Sequence, residues 1–373
     1  MDPAENLIAI ACIIFNWPEG NHRICIDLGL LDGDGAHPQA AGRTLFPSGR
    51  FQDDILPSDD LQVDIFGRYI TFQSSRRSTV YGGFNEENEE QWCLQIWDWR
   101  QSTTSSFVIS DTIINPEDGE SFDYCFLGNN RLLTVGKDLK LYSIENLSRA
   151  PQLLACFLMP VSVTSIESLI PMDDDIMPGS RLQMQAQRPM WTSDPKNRLL
   201  SLVARIQSAT SKSFTFVIST RIFFDLQVSV FEGMEVIPWK CWGPLNARIF
   251  PHDLRCRVGV CGNRVLHTFP ATGATADDED PSDDTDYKLY MMDFSPSAVA
   301  HRQGLGRVVT EPSIIETTES AETLTSSLPY VVVVSDRTFD PDQLMDIWVD
   351  KDRIYLPKPN TEDPDSVGYL RLR

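Results

Sequence analysis

The sequence predicts an all-β fold, a single β-propeller of about six to eight four-stranded blades, with seven the best fit to its length. Three observations carry this. Helical periodicity is nearly absent, short runs rich in β-branched and aromatic residues recur along the chain, and residues 121–144 read as a tight antiparallel meander. A chain of 373 residues, 42% hydrophobic, has ample material for one large core.

Taken in order, the first runs occupy residues 7–15, 23–28, 61–65, 69–72, 93–99, 107–109, 122–127, 131–135 and 139–144. They continue at 153–159, 199–206, 214–219, 222–230, 257–261, 264–269, 287–294, 330–334, 354–356 and 367–372. Gly, Asn, Asp, Pro and Ser separate most of them, which is the chemistry of turns. Within 121–144, Gly128-Asn129-Asn130 and Gly136-Lys137-Asp138 join three strands. The third of these, LKLYSI, has counterparts in LQIWDW (94–99) and KLYMMDF (288–294). A spacing of about 45 to 50 residues is that of four-stranded blades, and Trp97-Asp98 matches the dipeptide that ends the third strand of a WD-type blade. Ring closure predicts that strand 7–15 pairs with strand 367–373, leaving no free edge. The polar segments 85–90, 173–196 and 271–286 are expected as mobile inserts; the last includes seven acids in residues 277–286.

Charge narrows the function. Acidic residues outnumber Lys and Arg by 53 to 32, for a formal net charge of −21. That field repels phosphate backbones and anionic bilayers, so neither nucleic acid nor membrane is an expected partner, and a basic protein is favoured. The apolar run 7–15 is flanked by Asp2 and Glu5 in place of a basic segment and is too short to span a bilayer, so it reads as a buried strand. Eight cysteines, mostly in apolar runs and without a CxxC pair, fit reduced thiols of an intracellular protein, cytoplasmic or nuclear.

Motifs for catalysis do not occur: the chain has no GxSxG, no GxGxxG and no phosphate loop. No cofactor and no catalytic residue are expected. His252, Cys256, Cys261 and His267 have zinc-ligand chemistry, but their gaps of three to five residues are not knuckle pairs, and the odd cysteine spacing points the two thiols to opposite faces of a strand. They read as structural, with no metal site. Residues 32–35 begin like a calcium loop, yet Ala36 and His37 stand where a ligand and a glycine are needed. Trp17, Trp239 and Trp242 sit at strand ends beside Pro18 and Gly243-Pro244, where loops would line a propeller face, and are the expected anchors for a protein partner.

An ordered series of short segments extends over nearly the whole chain: Asn6-Leu7-Ile8-Ala9, CLQIWDW (93–99), Phe126-Leu127 with Arg131-Leu132-Leu133, LKLYSI (139–144), Trp242-Gly243-Pro244, Val309-Thr310-Glu311-Pro312 and SSLPY (326–330). In this order they resemble the region after the F-box in F-box proteins of mushroom-forming fungi. The resemblance implies a propeller-like domain that holds the substrate of a ubiquitin ligase. It brings no catalytic residues. Met1 stands a few residues before the first strand, so the F-box that binds the ligase adaptor is expected to be absent and adaptor binding is in doubt. The expected function is a monomeric, non-enzymatic protein-protein interaction module; the alternatives are a hydrolase using the central pocket and a ligand-free structural paralogue.

Overall fold

The structure, a computed structural model, describes residues 1–2, 4–16, 21–47, 60–82, 85–105, 107–114, 122–128, 130–160, 163–168, 195–206, 212–225, 236–252, 256–271, 286–301, 306–316, 323–340, 348–350, 353–359 and 367–372. Contacts divide the chain into two compact units, residues 1–134 with 140–154, and residues 135–139 with 155–373.

In the first unit, β1 (Leu7–Asn16) and β2 (Asn21–Leu30) form a hairpin that β3 (Thr44–Leu45) extends. Next come β4 (Asp60–Phe66), β5 (Tyr69–Gly82), β6 (Asn85–Asp98) and β7 (Val108–Ile114), an up-and-down sheet in chain order. β8 (Asp123–Phe126), β9 (Arg131–Val135) and β10 (Leu139–Ser143) repeat the pattern. The β4–β5 turn needs Gly67, whose φ of 53° lies in the left-handed region, and its carbonyl accepts the Trp99 indole N–H at 2.9 Å.

The centre of the middle sheet carries apolar residues on both faces because both are covered there. Ile70, Phe72 and Trp97 pack against Leu7, Ile24, Ile26 and Leu28 of the first hairpin. Tyr69, Leu94 and Ile96 point the other way, onto Phe126 and Leu132 of the third sheet. Each fully buried Leu, Ile or Phe here is worth about 1.5–3 kcal/mol.

The second unit begins in β11 (Gln152–Phe157), followed by β12 (Val163–Ser168), β13 (Leu199–Ile206), β14 (Lys212–Ser219) and β15 (Val236–Ile237). Cys156 and Phe157 of β11 pair in parallel with Val236 and Ile237. Helix α1 (Trp239–Asn246) leads into β16 (Ala247–His252), which completes an antiparallel sheet ordered β12-β13-β14-β16. Then come β17 (Val258–Cys261), β18 (Arg264–Pro270), β19 (Tyr287–Asp293), α2 (Pro296–His301), β20 (Arg307–Val309), β21 (Ser313–Glu316), β22 (Thr323–Ser326) and β23 (Tyr330–Phe339). Strands β17-β18-β19-β23-β20 form one sheet, and β21-β22 a separate hairpin. Val217 and Phe250 of the β12–β16 sheet pack on Val265, Met292 and Val332 of the β17–β23 sheet. β24 (Trp348–Asp350), β25 (Arg353–Pro359) and β26 (Val367–Leu372) form the last sheet.

Up-and-down sheets that follow one another in chain order, packed face on face within each unit, are the blade arrangement, and the chain is an all-β protein of propeller class. Several details differ from the sequence reading. Residues 85–90, expected as a mobile insert, form the start of β6; the β5–β6 ladder runs unbroken from Tyr69↔Asp98 to Gly82↔Asn85, so backbone pairing holds this acidic stretch. Of the other two inserts, residues 173–194 and 272–285 lie outside the described residues. Thr220–Phe223 is a 3-10 turn where a strand is expected from residue 222. The terminal strands pair with their sequence neighbours, β1 with β2 and β26 with β25.

Candidate functional site

Trp239 and Trp242 stand three residues apart on α1 and therefore share a helix face. That face is turned inward. The two indoles meet edge to face at 4.8 Å, Trp239 packs on Phe216 and Trp242 on Phe157, both at 5.7 Å. Trp242 is 0% exposed and Trp239 9%, and the Trp242 indole N–H donates to the Leu158 carbonyl at 3.1 Å. The expectation of surface anchors is corrected for both: Gly243-Pro244 reads as a turn in sequence, yet it lies within a short helix whose i, i+3 pair is core. Gly243 is required there, because a Cβ would stand 2.3 Å from the Trp239 ring. Trp17, the third expected anchor, lies outside the described residues.

Beyond the buried indoles, the exposed end of α1 borders a pocket of about 340 Å³ in the second unit. Its polar lining is Asn197, Asn246, Asn263, Ser219 and Arg221, and its apolar lining includes Leu199, Leu245, Phe294, Val299, Leu328 and Pro329. Leu245 is 76% exposed. These residues come from turns and strand ends that are tied together by hydrogen bonds. The Thr220 hydroxyl donates to the Arg198 carbonyl at 3.0 Å and accepts the Arg198 N–H at 3.1 Å. Backbone N–H groups of Leu199, Phe294 and Leu328 donate to the carbonyls of Gly262, Asn263 and Ala247. The Asn246 amide donates to the Trp242 carbonyl at 2.8 Å. A rim held this way presents its side chains in fixed positions. Arg221 donates from Nε to Asp225 at 3.1 Å, an exposed pair that partly offsets its charge.

None of the four zinc-type residues of the sequence reading is brought into a metal cluster; among the described residues no group of three or more His, Cys, Asp or Glu could hold an ion. Two of them form a proton chain instead. His267 Nδ1 lies 2.7 Å from the Thr268 carbonyl, which only accepts, so Nδ1 carries the proton and Nε2 is the acceptor. The Thr215 hydroxyl, 3.3 Å from that Nε2, donates to it, and the Thr215 oxygen accepts from His252 Nδ1 at 3.1 Å. Phe269 stacks on the His267 ring at 4.1 Å. Complete burial, opposed by the Thr268 bond and aided by nearby His252, drives the His267 pKa down from 6.5 to about 3. Arg248 is another buried polar group nearby in sequence; its guanidinium lies 5.1 Å over the Tyr330 ring, its Nε and Nη1 find no hydrogen-bond partner among the described residues, and desolvation lowers its pKa. Sequence reading missed Thr215, Arg248 and the whole pocket lining, since single polar residues scattered over strands, turns and a helix end carry no motif.

Among the described residues no helix is long and apolar enough to cross a membrane. No family model and no curated protein matches the chain. Among solved structures, the chain is similar to the β-propeller domain of the trilobed protease from Pyrococcus furiosus, described as having an open velcro topology. The likeness has a TM-score of 0.27 and 10% identity, and covers 80% of this chain and 78% of that one. Strand order and sheet packing carry the fold by themselves.

Proposed function

We propose that the chain is a non-enzymatic protein-interaction module, the substrate-recognition part of an F-box-type receptor, and that the pocket beside α1 receives an extended, basic peptide segment. The observation that supports this is the lining itself. Asparagine amides and a serine hydroxyl neither take nor release a proton near neutral pH, but they match the donors and acceptors of an extended peptide backbone. Leu245 and Leu328 offer an apolar seat for one side chain. The net charge of −21 draws in Lys- or Arg-bearing segments.

The test uses the full-length protein and a library of fluorescent extended peptides rich in Lys and Arg, read by anisotropy. Selected peptides are expected to lose about tenfold in affinity with Leu245→Asp, the loss of one buried apolar contact, and to weaken with Asn263→Ala. Melting temperatures should stay within a degree or two. Equal binding by both variants, or turnover of the peptides, would overturn the reading.

A further inference from the structure

The hairpin at the start of the chain carries a chemical feature that the proposed recognition role does not use. β1 and β2 pair over ten residues without a register shift, and Cys12 is the direct partner of Cys25. Direct partners in an antiparallel pair point to the same face. Their Cα atoms stand about 4.5–5.5 Å apart, inside the roughly 4.4–6.8 Å that a disulfide spans. The Cys12 thiol donates to the Ile10 carbonyl at 3.8 Å, and neither sulfur is bridged.

Alternation along the strands decides which face the pair occupies. Leu7 of β1, with Ile24, Ile26 and Leu28 of β2, supplies the core-facing row. The cysteines fall on the other face with Ile10 and Ile14, which are 51% and 52% exposed. Cys12 is half-buried there and Cys25 is buried beside it. Small oxidants therefore meet Cys12 first.

We propose that Cys12 and Cys25 form a redox-active dithiol that closes into a cross-strand disulfide when hydrogen peroxide reaches the outer face of the hairpin. The Cys12 thiolate attacks the peroxide O–O bond, which breaks; one oxygen becomes the sulfenic hydroxyl and the other leaves as water. Cys25 then gives up its proton and attacks the Cys12 sulfur, the S–S bond forms, and the sulfenic hydroxyl departs as a second water. Two thiols lose two electrons and two protons, and one peroxide becomes two waters. Burial first, then the neighbouring Asp27 charge, raise the Cys25 pKa, so this thiol stays protonated and suits the resolving role.

The test exposes the full-length protein to stoichiometric hydrogen peroxide, followed by differential alkylation and peptide mass mapping. Cys241, exposed on α1, serves as the internal control because it has access without a strand partner. The expected product is lighter by two hydrogens, yields a Cys12–Cys25 cross-linked peptide, and returns to starting mass with a thiol reductant. Cys25→Ser should leave a Cys12 sulfenic acid that dimedone traps, and Cys12→Ser should leave Cys25 reduced. Wild-type protein in which both cysteines remain alkylatable while Cys241 is oxidised would overturn the proposal, as would a bridge from either one to a different cysteine.

Discussion

Protonating His267 is the perturbation whose size the structure fixes best. Its ring is fully buried, its Nδ1–H is committed to the Thr268 carbonyl, and its Nε2 accepts from Thr215, which in turn accepts from His252. A proton on Nε2 would remove the acceptor for Thr215 and place a charge in an apolar setting stacked on Phe269. The folded-state pKa of about 3 lies below the ordinary 6.5. The unfolded chain thus binds the proton first as pH falls, and stability drops between those two values. At pH 5 the gap from 6.5 is 1.5 units, and at 1.36 kcal/mol per unit the loss attributable to this one residue is about 2 kcal/mol. The assay is urea unfolding of wild type and His267→Phe at pH 7.5 and pH 5. The phenylalanine keeps a ring against Phe269 and removes the titration. Carboxylates contribute the same pH dependence to both proteins, so wild type should lose about 2 kcal/mol more than the variant on acidification. Identical losses in the two would refute a neutral, proton-excluding His267.

Three further outcomes follow from the same packing. Trp242→Ala should lower stability by about 3–5 kcal/mol through a cavity and an orphaned Leu158 carbonyl, which calorimetry would register as a large fall in Tm; a change in partner binding with Tm intact would restore the anchor reading. Gly243→Ala improves helix propensity by about 1 kcal/mol, yet the new methyl meets the Trp239 ring, so thermal melting should show net destabilisation, and a rise in Tm would mean the ring yields freely. Tyr124→Phe removes the hydroxyl that donates to Asp64 at 2.9 Å and meets Thr71 at 2.7 Å; denaturant titration should show a loss of about 1 kcal/mol, and an unchanged midpoint would make that bond dispensable.

The blade repeat was legible because it is written in residue order. LQIWDW, LKLYSI and KLYMMDF fall in β6, β10 and β19, each the third strand of its up-and-down sheet, and Trp97-Asp98 does close β6. Asp98 earns its place there by accepting the Arg100 backbone N–H and pairing with Arg68 at 3.5 Å. Helix α1 was not legible, since it holds Gly243-Pro244 and is only eight residues long, too short for its spacing to stand out against turn chemistry. The acidic start of β6 misled for a different reason: a ladder is made of backbone groups, and composition says little about them. The pocket was hidden because its lining is gathered from segments as far apart as Asn197 and Pro329.

The centre of the β4–β7 sheet, residues 69–72 and 94–97, is clasped by the first hairpin on one side and by β8–β10 on the other, and leaves polar substitutions little access to water. Neutral drift in such a chain is steered toward the bends between strands. New specificities can therefore be tried at the connections while the interior keeps its volume, and a lineage built this way could change what it holds long before it changes how it folds.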